Sequence, residues 1–383
     1  MECINPMAVV VLTLALPWPA GGQPAAAQPQ NGTSTQPGQA VFKALQKDRD
    51  LRYESQLESY LRHWLVDDYA VRAARAWRRD YSGLEAFLAG VEPNRGRWRG
   101  LLKAPTLQPT GPLQRRPYEP LGNLGAEWLT LPLGPIQAEA VLAVPDTGQK
   151  NYPLVITPHG LGGSPEGMFG LEQESIYHAY GRSLLDAGYA VLAPFDVCSS
   201  EDRNRIERLC RLADTTLTGL EFVRLQRLLD AVLADPRIDA GRVAMWGVSL
   251  GGRETLFWMP LEPRIKLGIV SAWFNRRPEK MAIPSTLYSC FLDSPEDHAF
   301  LQGWLTEFAD ADIVSLILPR PLLIQTGKRD PIAYWPHVQE DFAVARQPYE
   351  KLVLGERMAF DLHDGGHELR LETGMAFLDR WCR

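Results

Sequence analysis

The pentapeptide GVSLG at positions 247–251 has Ser249 at its centre, with a glycine two residues away on each side. An apolar run at 243–246 precedes it with the pattern of a buried strand, and a helical pattern follows at once. A serine at such a strand-to-helix turn lies in strained backbone with its hydroxyl exposed, and the flanking glycines relieve the crowding. The pattern predicts a nucleophilic Ser249, against the alternative of a structural turn with an incidental serine.

A second glycine-rich segment, PHGLGG at positions 158–163, follows the strand pattern at 154–157. A loop in this place can supply a backbone N–H to the oxyanion of an acyl-transfer reaction. We therefore expect the N–H groups of Leu161 and Leu250 to form an oxyanion hole, and His159 to orient the loop. A phosphate-binding loop would need a Lys-Ser/Thr pair after the glycines, which this segment lacks.

An acid and a base follow two later strand patterns. Asp330 lies in TGKRDP, directly after the strand pattern at 322–325, where a carboxylate can hold a histidine in the correct tautomer. His367 follows two glycines in HDGGHE, which give its loop the reach to approach Ser249, whereas His363 is expected to end the preceding strand. The alternatives are an exposed turn aspartate at Asp330 and metal ligation by the histidines. The H-E-x-x-H spacing of a zinc site is missing, so we expect no metal.

The elements that must position these residues alternate along the chain. A hairpin is predicted from 127–133 and 136–144, and further strands from 154–157, 189–193, 243–246, 267–270 and 322–325. Helices are predicted at 173–187, 217–234 and 369–381. Strands that alternate with helices predict an α/β fold with a mostly parallel central sheet flanked by helices. The order Ser249, Asp330, His367 is the chain order of an α/β-hydrolase triad.

Four segments carry a resemblance to a known family: DPRIDAGRVAMWGVSLGG, PHGLGGS, ILPRPLLIQTGKRDPI and DGGHE. They resemble the dienelactone hydrolase and acetyl xylan esterase-like branch of the α/β-hydrolases, over roughly residues 127–383. The resemblance implies an α/β-hydrolase fold, with Ser249 as nucleophile, Asp330 as acid, His367 as base and no cofactor. Dienelactone hydrolases proper use a cysteine nucleophile, so the serine favours the esterase side.

Two related groups fit the sequence less well. Prolyl-oligopeptidase-type peptidases have a similar elbow but normally carry a long N-terminal β-propeller, which the helical pattern before the catalytic region cannot form. Glucuronoyl esterases usually have an arginine directly after the nucleophilic serine, where Leu250 stands.

Along its whole length, the sequence divides into four predicted regions. Residues 1–27 resemble a signal peptide, with an apolar run at 7–16 and three alanines at 25–27, although no Lys or Arg precedes the apolar run. Residues 28–39 are expected to be a disordered linker and residues 40–120 a helical N-terminal extension. Residues 121–383 are the predicted catalytic domain, with a capping insertion at about 274–318. The leader predicts a secreted or periplasmic protein, against the alternative of a leader without consequence.

Composition narrows the possible partners. The 383 residues carry a net charge of −6, which argues against a nucleic-acid partner, and no other segment has the pattern of a membrane span. Cys198 and Cys210 are the favoured disulfide pair, with buried free thiols as the alternative.

Together these features predict a secreted serine esterase that acts on a small-molecule or carbohydrate ester, with acetyl as the favoured acyl group. Trp273, directly after the strand that follows the elbow, is expected to bound the acyl pocket. Tryptophan rings also suit sugar faces, but core packing is their commoner fate. The alternatives are a serine peptidase and a non-catalytic binding protein on the same fold.

Overall fold

The computed structural model describes residues 37–148, 150–171 and 175–382. The predicted signal peptide at 1–27 and most of the predicted linker at 28–39 lie outside the described residues. Residues 37–39 of that linker belong to the first helix.

The described residues form alternating helices and strands joined by short 3₁₀ segments and one π-helical segment, His63–Asp67. The helices are α1 (Pro37–Arg62), α2 (Tyr69–Ala76), α3 (Leu84–Leu102), α4 (Tyr180–Asp186), α5 (Ser200–Leu212), α6 (Leu217–Val232), α7 (Leu250–Trp258), α8 (Arg277–Ala282), α9 (Asp310–Ile317), α10 (Trp335–Lys351) and α11 (Leu371–Trp381). The strands are β1 (Gln114–Pro117), β2 (Glu127–Pro132), β3 (Gln137–Ala143), β4 (Tyr152–Ile156), β5 (Ala190–Pro194), β6 (Ile238–Val248), β7 (Leu267–Ser271), β8 (Leu322–Gly327) and β9 (Met358–His363).

All nine strands belong to one sheet in the order β1-β2-β3-β5-β4-β6-β7-β8-β9. The strands β1, β2, β3 and β5 pair in antiparallel fashion, and every pair from β5 through β4 to β9 is parallel. The predicted mostly parallel sheet is confirmed, as is the hairpin, in which Leu131 pairs with Ala138. The carboxyl ends of β4, β6, β7 and β8 therefore share one edge, where sites form in sheets of this kind.

Both faces of the sheet are covered by apolar side chains. Along β6, Val243 and Met245 belong to one buried cluster, while Ala244 and Trp246 belong to the other. This alternation explains why the central strands are apolar throughout, since a parallel sheet with helices on both faces leaves no side of a strand in water.

The chain separates into two compact units at Gln56/Leu57. The described part of the first unit, residues 37–56, is helical. In the second unit, α2, the residue after it and α3 contribute to one of the two clusters that cover the sheet, with Ala73, Trp77, Phe87 and Trp98. This part of the predicted N-terminal extension thus shares its core with the strands.

The segment around α2 also forms hydrogen bonds to the end of the predicted capping insertion. The Arg72 guanidinium donates to the carbonyls of Leu305 and Thr306, and the indole of Trp77 donates to the carbonyl of Glu307 at 2.8 Å. The hydroxyl of Tyr69 donates to the Asp312 carboxylate in α9. These hydrogen bonds stabilise the end of the insertion.

Several predicted boundaries were wrong. The helix predicted at 173–187 begins only at Tyr180 within the described residues, after Ala179 with a φ of 51°. The predicted connector at 105–120 contains the edge strand β1, and β6 starts five residues earlier than its apolar run because its first half is partly exposed.

The disulfide prediction was also wrong, because Cys198 and Cys210 are free thiols. The segment between them is the helix α5, and Ser199 caps it by accepting from the Asp202 N–H at 3.0 Å. Ten residues of helix span about 15 Å, whereas bridged cysteines need Cα atoms within about 7 Å. Within the described residues, no helix combines the length and apolar character needed to cross a membrane.

Candidate active site

Ser249 lies at the sharp turn between β6 and α7, with a φ of 58° and a ψ of −119°. A left-handed backbone angle at a non-glycine residue stores strain, and it persists only where the surroundings enforce it. A Cβ at Gly247 would lie 2.1 Å from the carbonyl oxygen of Gly251, and one at Gly251 would lie 2.2 Å from that of Pro158. Positions 247 and 251, two residues away on each side of the serine, must therefore be glycine.

The loop after β4 packs directly against this turn. A Cβ at Gly160 would lie 3.5 Å from the Cβ of Ser249, so the loop backbone reaches the predicted nucleophile. The backbone N–H groups of Leu161 and Leu250 have no hydrogen-bond partner in the described part of the chain, and both residues line the same cavity as Ser249. Two unpaired donors, one of them at the N-terminal end of α7, favour a developing negative charge.

His159 is buried in the loop and both of its ring nitrogens contact backbone. Nδ1 lies 2.8 Å from the carbonyl oxygen of Gly160, and Nε2 accepts from the N–H of Asp196 at 3.2 Å. This arrangement holds the glycine-rich loop in place, which is the role predicted for this histidine.

The structure brings Asp330 and His367 together. The Nδ1 atom of His367 lies 2.8 Å from Oδ2 of Asp330, whose side chain is completely buried, while Oδ1 accepts from the N–H of Ile332 at 2.9 Å. Among the described residues, Ser249 Oγ forms no hydrogen bond with His367. Contacts between a nucleophile and its base are often long without substrate and tighten when it binds.

Backbone hydrogen bonds hold the loops of the acid and the base together. The N–H of Lys328 donates to the carbonyl of His363 at 2.8 Å, and the N–H of Arg329 donates to that of Gly365 at 3.0 Å. His363 is the last residue of β9 and its Nδ1 accepts from the N–H of Gly365 at 3.1 Å, away from Asp330. Burial lowers the pKa of His363.

A cavity of about 270 Å³ opens beside Ser249. Its walls come from the elbow, from the Leu161 loop, from the residues after β7 and from the insertion between α8 and residue 300. Trp273 lines it, half-buried, with its ring 6.1 Å from that of Phe291 and with the Arg277 guanidinium 4.1 Å above it. The predicted insertion therefore forms one wall of the cavity. Trp246 and Trp304, by contrast, are buried core residues.

Three cations that the sequence reasoning did not select line this cavity. Arg277 forms a buried bidentate ion pair with Asp310 in α9, and Lys280 donates to three oxygen atoms. The buried Arg253 differs, since its Nη1 donates only to the carbonyl of His298 at 3.3 Å and its Nε has no partner among the described residues. Arg253 is one helical turn after Ser249, and this spacing was the signal that could have found it.

Two further features of the wall concern its polarity. The indole N–H of Trp273 is buried and unpaired among the described residues. Burial, with Arg253 and Arg203 nearby, lowers the pKa of His298 to about 3, so the ring is neutral. Among the described residues, no group of three or more His, Cys, Asp or Glu side chains has a metal-binding arrangement.

Comparison with known proteins gives matches in structure alone, since no family model and no curated protein matches the sequence. A protein from Bacteroides fragilis that is provisionally assigned as an acetyl xylan esterase aligns with a TM-score of 0.59 and 17% identity, covering 75% of this chain and 77% of that one. A glucuronoyl esterase from Solibacter usitatus aligns with a TM-score of 0.57, 13% identity and 78% and 94% coverage. A glucuronoyl esterase from Caldicellulosiruptor kristjansonii aligns with a TM-score of 0.55 and 18% identity, covering 78% of this chain and 85% of that one.

The chain has the α/β-hydrolase fold. In an α/β-hydrolase the nucleophile follows a central strand, the acid and the base follow later strands, and the oxyanion loop follows an earlier one. Ser249 after β6, Asp330 after β8, His367 after β9 and Leu161 after β4 have these places. At identities below 20% the likeness concerns the fold, and the chemistry has to be argued from the site.

Proposed function

We propose that this protein is a serine carboxylic ester hydrolase that removes short acyl groups, acetyl above all, from a carbohydrate alcohol. The observation that carries the proposal is the cavity itself. The strained elbow presents the Ser249 hydroxyl to it, and the unpaired N–H groups of Leu161 and Leu250 line the same space. A nucleophile beside two free donors is what acyl transfer requires.

The mechanism follows from the places of these groups. Nε2 of His367 accepts the Ser249 proton as Oγ forms a bond to the ester carbonyl carbon, and Asp330 holds the imidazole through Nδ1 and stabilises its cation. The tetrahedral oxyanion binds to the N–H groups of Leu161 and Leu250. His367 then gives the proton to the leaving alcohol as the ester C–O bond breaks. In the second half, water loses a proton to His367 and attacks the acyl carbon. His367 then returns this proton to Ser249 Oγ as the bond between Oγ and the acyl carbon breaks, which releases the acid and the free serine.

The shape and polarity of the cavity support the substrate class. A volume of about 270 Å³, bounded by Trp273, suits a small acyl group better than a long chain. The Arg253 guanidinium, which lines the cavity and whose Nη1 donates only to the carbonyl of His298, suits the hydroxyl oxygens of a sugar, because a charged donor with unused hydrogen-bonding capacity gains free energy from an acceptor on the substrate. Structural neighbours that are named as acetyl xylan or glucuronoyl esterases also support a carbohydrate ester as substrate. Export, which the leader predicts, would place the enzyme where polysaccharides occur.

The test combines labelling with a substrate panel. A fluorophosphonate probe should label the wild type at Ser249, and Ser249→Ala should fold, resist labelling and lose about 10⁶ in turnover. Ser294→Ala is the matched control, because Ser294 lines the same cavity but its hydroxyl donates to the Phe291 carbonyl.

The panel compares acetylated xylo-oligosaccharides, p-nitrophenyl esters from acetyl to decanoyl, and a peptide amide. Hydrolysis of acetyl esters should be fastest by kcat/KM. Labelling at another serine would refute the mechanism, and faster cleavage of the amide would indicate a peptidase instead.

A further inference from the structure

Lys280 of α8 is a buried lysine in the wall of the cavity, and all three of its N–H donors have acceptors. Its ammonium donates to the carbonyl of Ser289 at 2.5 Å, to the hydroxyl of Ser289 at 2.8 Å and to the carbonyl of Ile332. An ammonium has three donors and a neutral amine has two. In the protonated lysine all three bonds are donated by the ammonium and are charge-assisted, which makes them stronger than those of a neutral amine.

These bonds connect two separate parts of the site. Ser289 belongs to the insertion that forms the cavity wall, whereas Ile332 belongs to the turn after β8. The backbone N–H of Ile332 donates to Oδ1 of Asp330 at 2.9 Å, and Oδ2 of that carboxylate is 2.8 Å from His367. A continuous chain of hydrogen bonds thus runs from the insertion, through the ammonium and the turn, to the imidazole.

We propose that Lys280 is a positioning residue, whose ammonium ties the turn that carries Asp330 to the insertion and so fixes the carboxylate against His367. This inference rests on the proposed function. Since a displacement of about 1 Å at a catalytic group can cost on the order of 10² in rate, a single tie at this turn has a measurable effect on turnover.

The strength of the hydrogen bonds of Lys280 depends on pH. Burial first, and then Arg277 on the same helix, lower the pKa of Lys280 to about 8, while Asp330, Cys290 and Glu296 oppose the shift. Below about pH 8 the ammonium keeps its three bonds. Above it, the neutral amine can still bind both carbonyls and accept from the Ser289 hydroxyl, but these bonds are no longer charge-assisted. The turn is then held less firmly, so the proposal gives turnover an alkaline limb.

The experiment measures kcat and KM for acetate release from about pH 6 to about pH 10. Lys280→Met should lower kcat by about 10- to 100-fold below pH 7, change KM by less than about threefold, and lack the fall near pH 8. Ser289→Ala keeps the ammonium but removes one bond to its charged form, so the alkaline limb should move to lower pH. Lys266→Met is the control, because Lys266 is exposed and donates only to the Pro263 carbonyl, and it should match the wild type.

A second measurement does not depend on ester hydrolysis. The proton between His367 and Asp330 should give a far-downfield NMR resonance, which Lys280→Met should shift or broaden and Lys266→Met should leave in place. A wild-type kcat in Lys280→Met, or an alkaline limb that Ser289→Ala does not move, would overturn the proposal. If Lys280→Met does not fold, Ser289→Ala decides. Failure of the proposed function is a separate result, since it would appear as absent labelling of Ser249 in the wild type.

Discussion

Nδ1 of His367 lies 2.8 Å from Oδ2 of Asp330, a carboxylate that is fully shielded from solvent. In a Ser-His-Asp site this bond sets the tautomer of the imidazole. Asp330→Asn should therefore leave the fold intact and lower kcat by about 10⁴, because the amide permits the wrong tautomer. His367→Ala should abolish turnover, and His363→Ala is the matched control, because Nδ1 of that ring accepts from the N–H of Gly365 in its own loop and not from Asp330. The measurement is kcat with circular dichroism as the folding check, and loss of turnover in His363→Ala alone would reverse the assignment.

Gly251→Ala should prevent the elbow from forming. The added methyl would lie 2.2 Å from the carbonyl oxygen of Pro158, and backbone on both sides cannot move away. We expect loss of soluble folded protein, or a melting temperature lowered by several degrees together with loss of labelling at Ser249. Gly100→Ala is the control, because Gly100 is on the exposed side of α3 with open space around it and alanine favours a helix. A fully active Gly251→Ala protein would contradict the geometry of the elbow.

Trp273→Ala should enlarge the acyl pocket. Its ring borders the cavity next to Phe291, so removing it should raise kcat/KM for butanoyl and hexanoyl esters relative to acetyl. The measurement is the ratio of kcat/KM values along a p-nitrophenyl ester series. An unchanged ratio would place Trp273 outside the acyl pocket.

Arg253→Met should weaken binding of the alcohol part of the substrate. Hydrogen bonds to a charged group contribute about 1.5–3 kcal/mol, so KM for an acetylated oligosaccharide should rise by on the order of tenfold or more. KM for p-nitrophenyl acetate, which has no hydroxyl groups, should change little. Arg208→Met, at an exposed position of α5, should affect neither. Equal changes with both substrates would show that Arg253 does not contact the sugar.

His298 should make the protein sensitive to acid. Its folded pKa of about 3 lies below the ordinary value of 6.5, so between these pH values the unfolded chain binds a proton that the folded chain does not. The free energy of unfolding should therefore fall as the pH drops below about 6.5, by up to about 1.4 kcal/mol per pH unit. His298→Asn should flatten this slope in urea titrations, whereas His178→Asn, at a half-exposed position, should not. A slope that His298→Asn leaves unchanged would show that another group is responsible.

The sequence predicted the central strands and the elbow because both depend on local signals. Runs of apolar residues mark strands that are covered on both faces, and the glycine at 247 is required by the carbonyl of Gly251, only four residues away. The glycine at 251 is required instead by Pro158, in the loop after β4, although the G-x-S-x-G pattern that marks it is local. The antiparallel hairpin was predicted for the same reason, since its turn is short. Local patterns are the part of a fold that a single sequence states most directly.

The ionic wall of the cavity could not be predicted in this way. Arg277 pairs with Asp310 and Lys280 bonds to Ile332, partners that lie 33 and 52 residues apart in the chain. Nothing in the local pattern of α8 distinguishes these cations from solvated ones. The predicted disulfide was wrong for a different reason. Cys198 and Cys210 are close in sequence, but the helix α5 between them separates them in space.

The brace between α2 and the insertion has a consequence for how the protein folds. Tyr69 and Asp312 are 243 positions apart, and Trp77 finds its acceptor 230 positions later. Contacts of such separation pay a large loop-closure entropy and form after local structure. During synthesis, Tyr69 and Trp77 can therefore form these hydrogen bonds only after the chain beyond residue 312 has left the ribosome. A nascent chain that stalls before that point would expose Trp77 and the apolar face around it to solvent, as a target for chaperones or proteases.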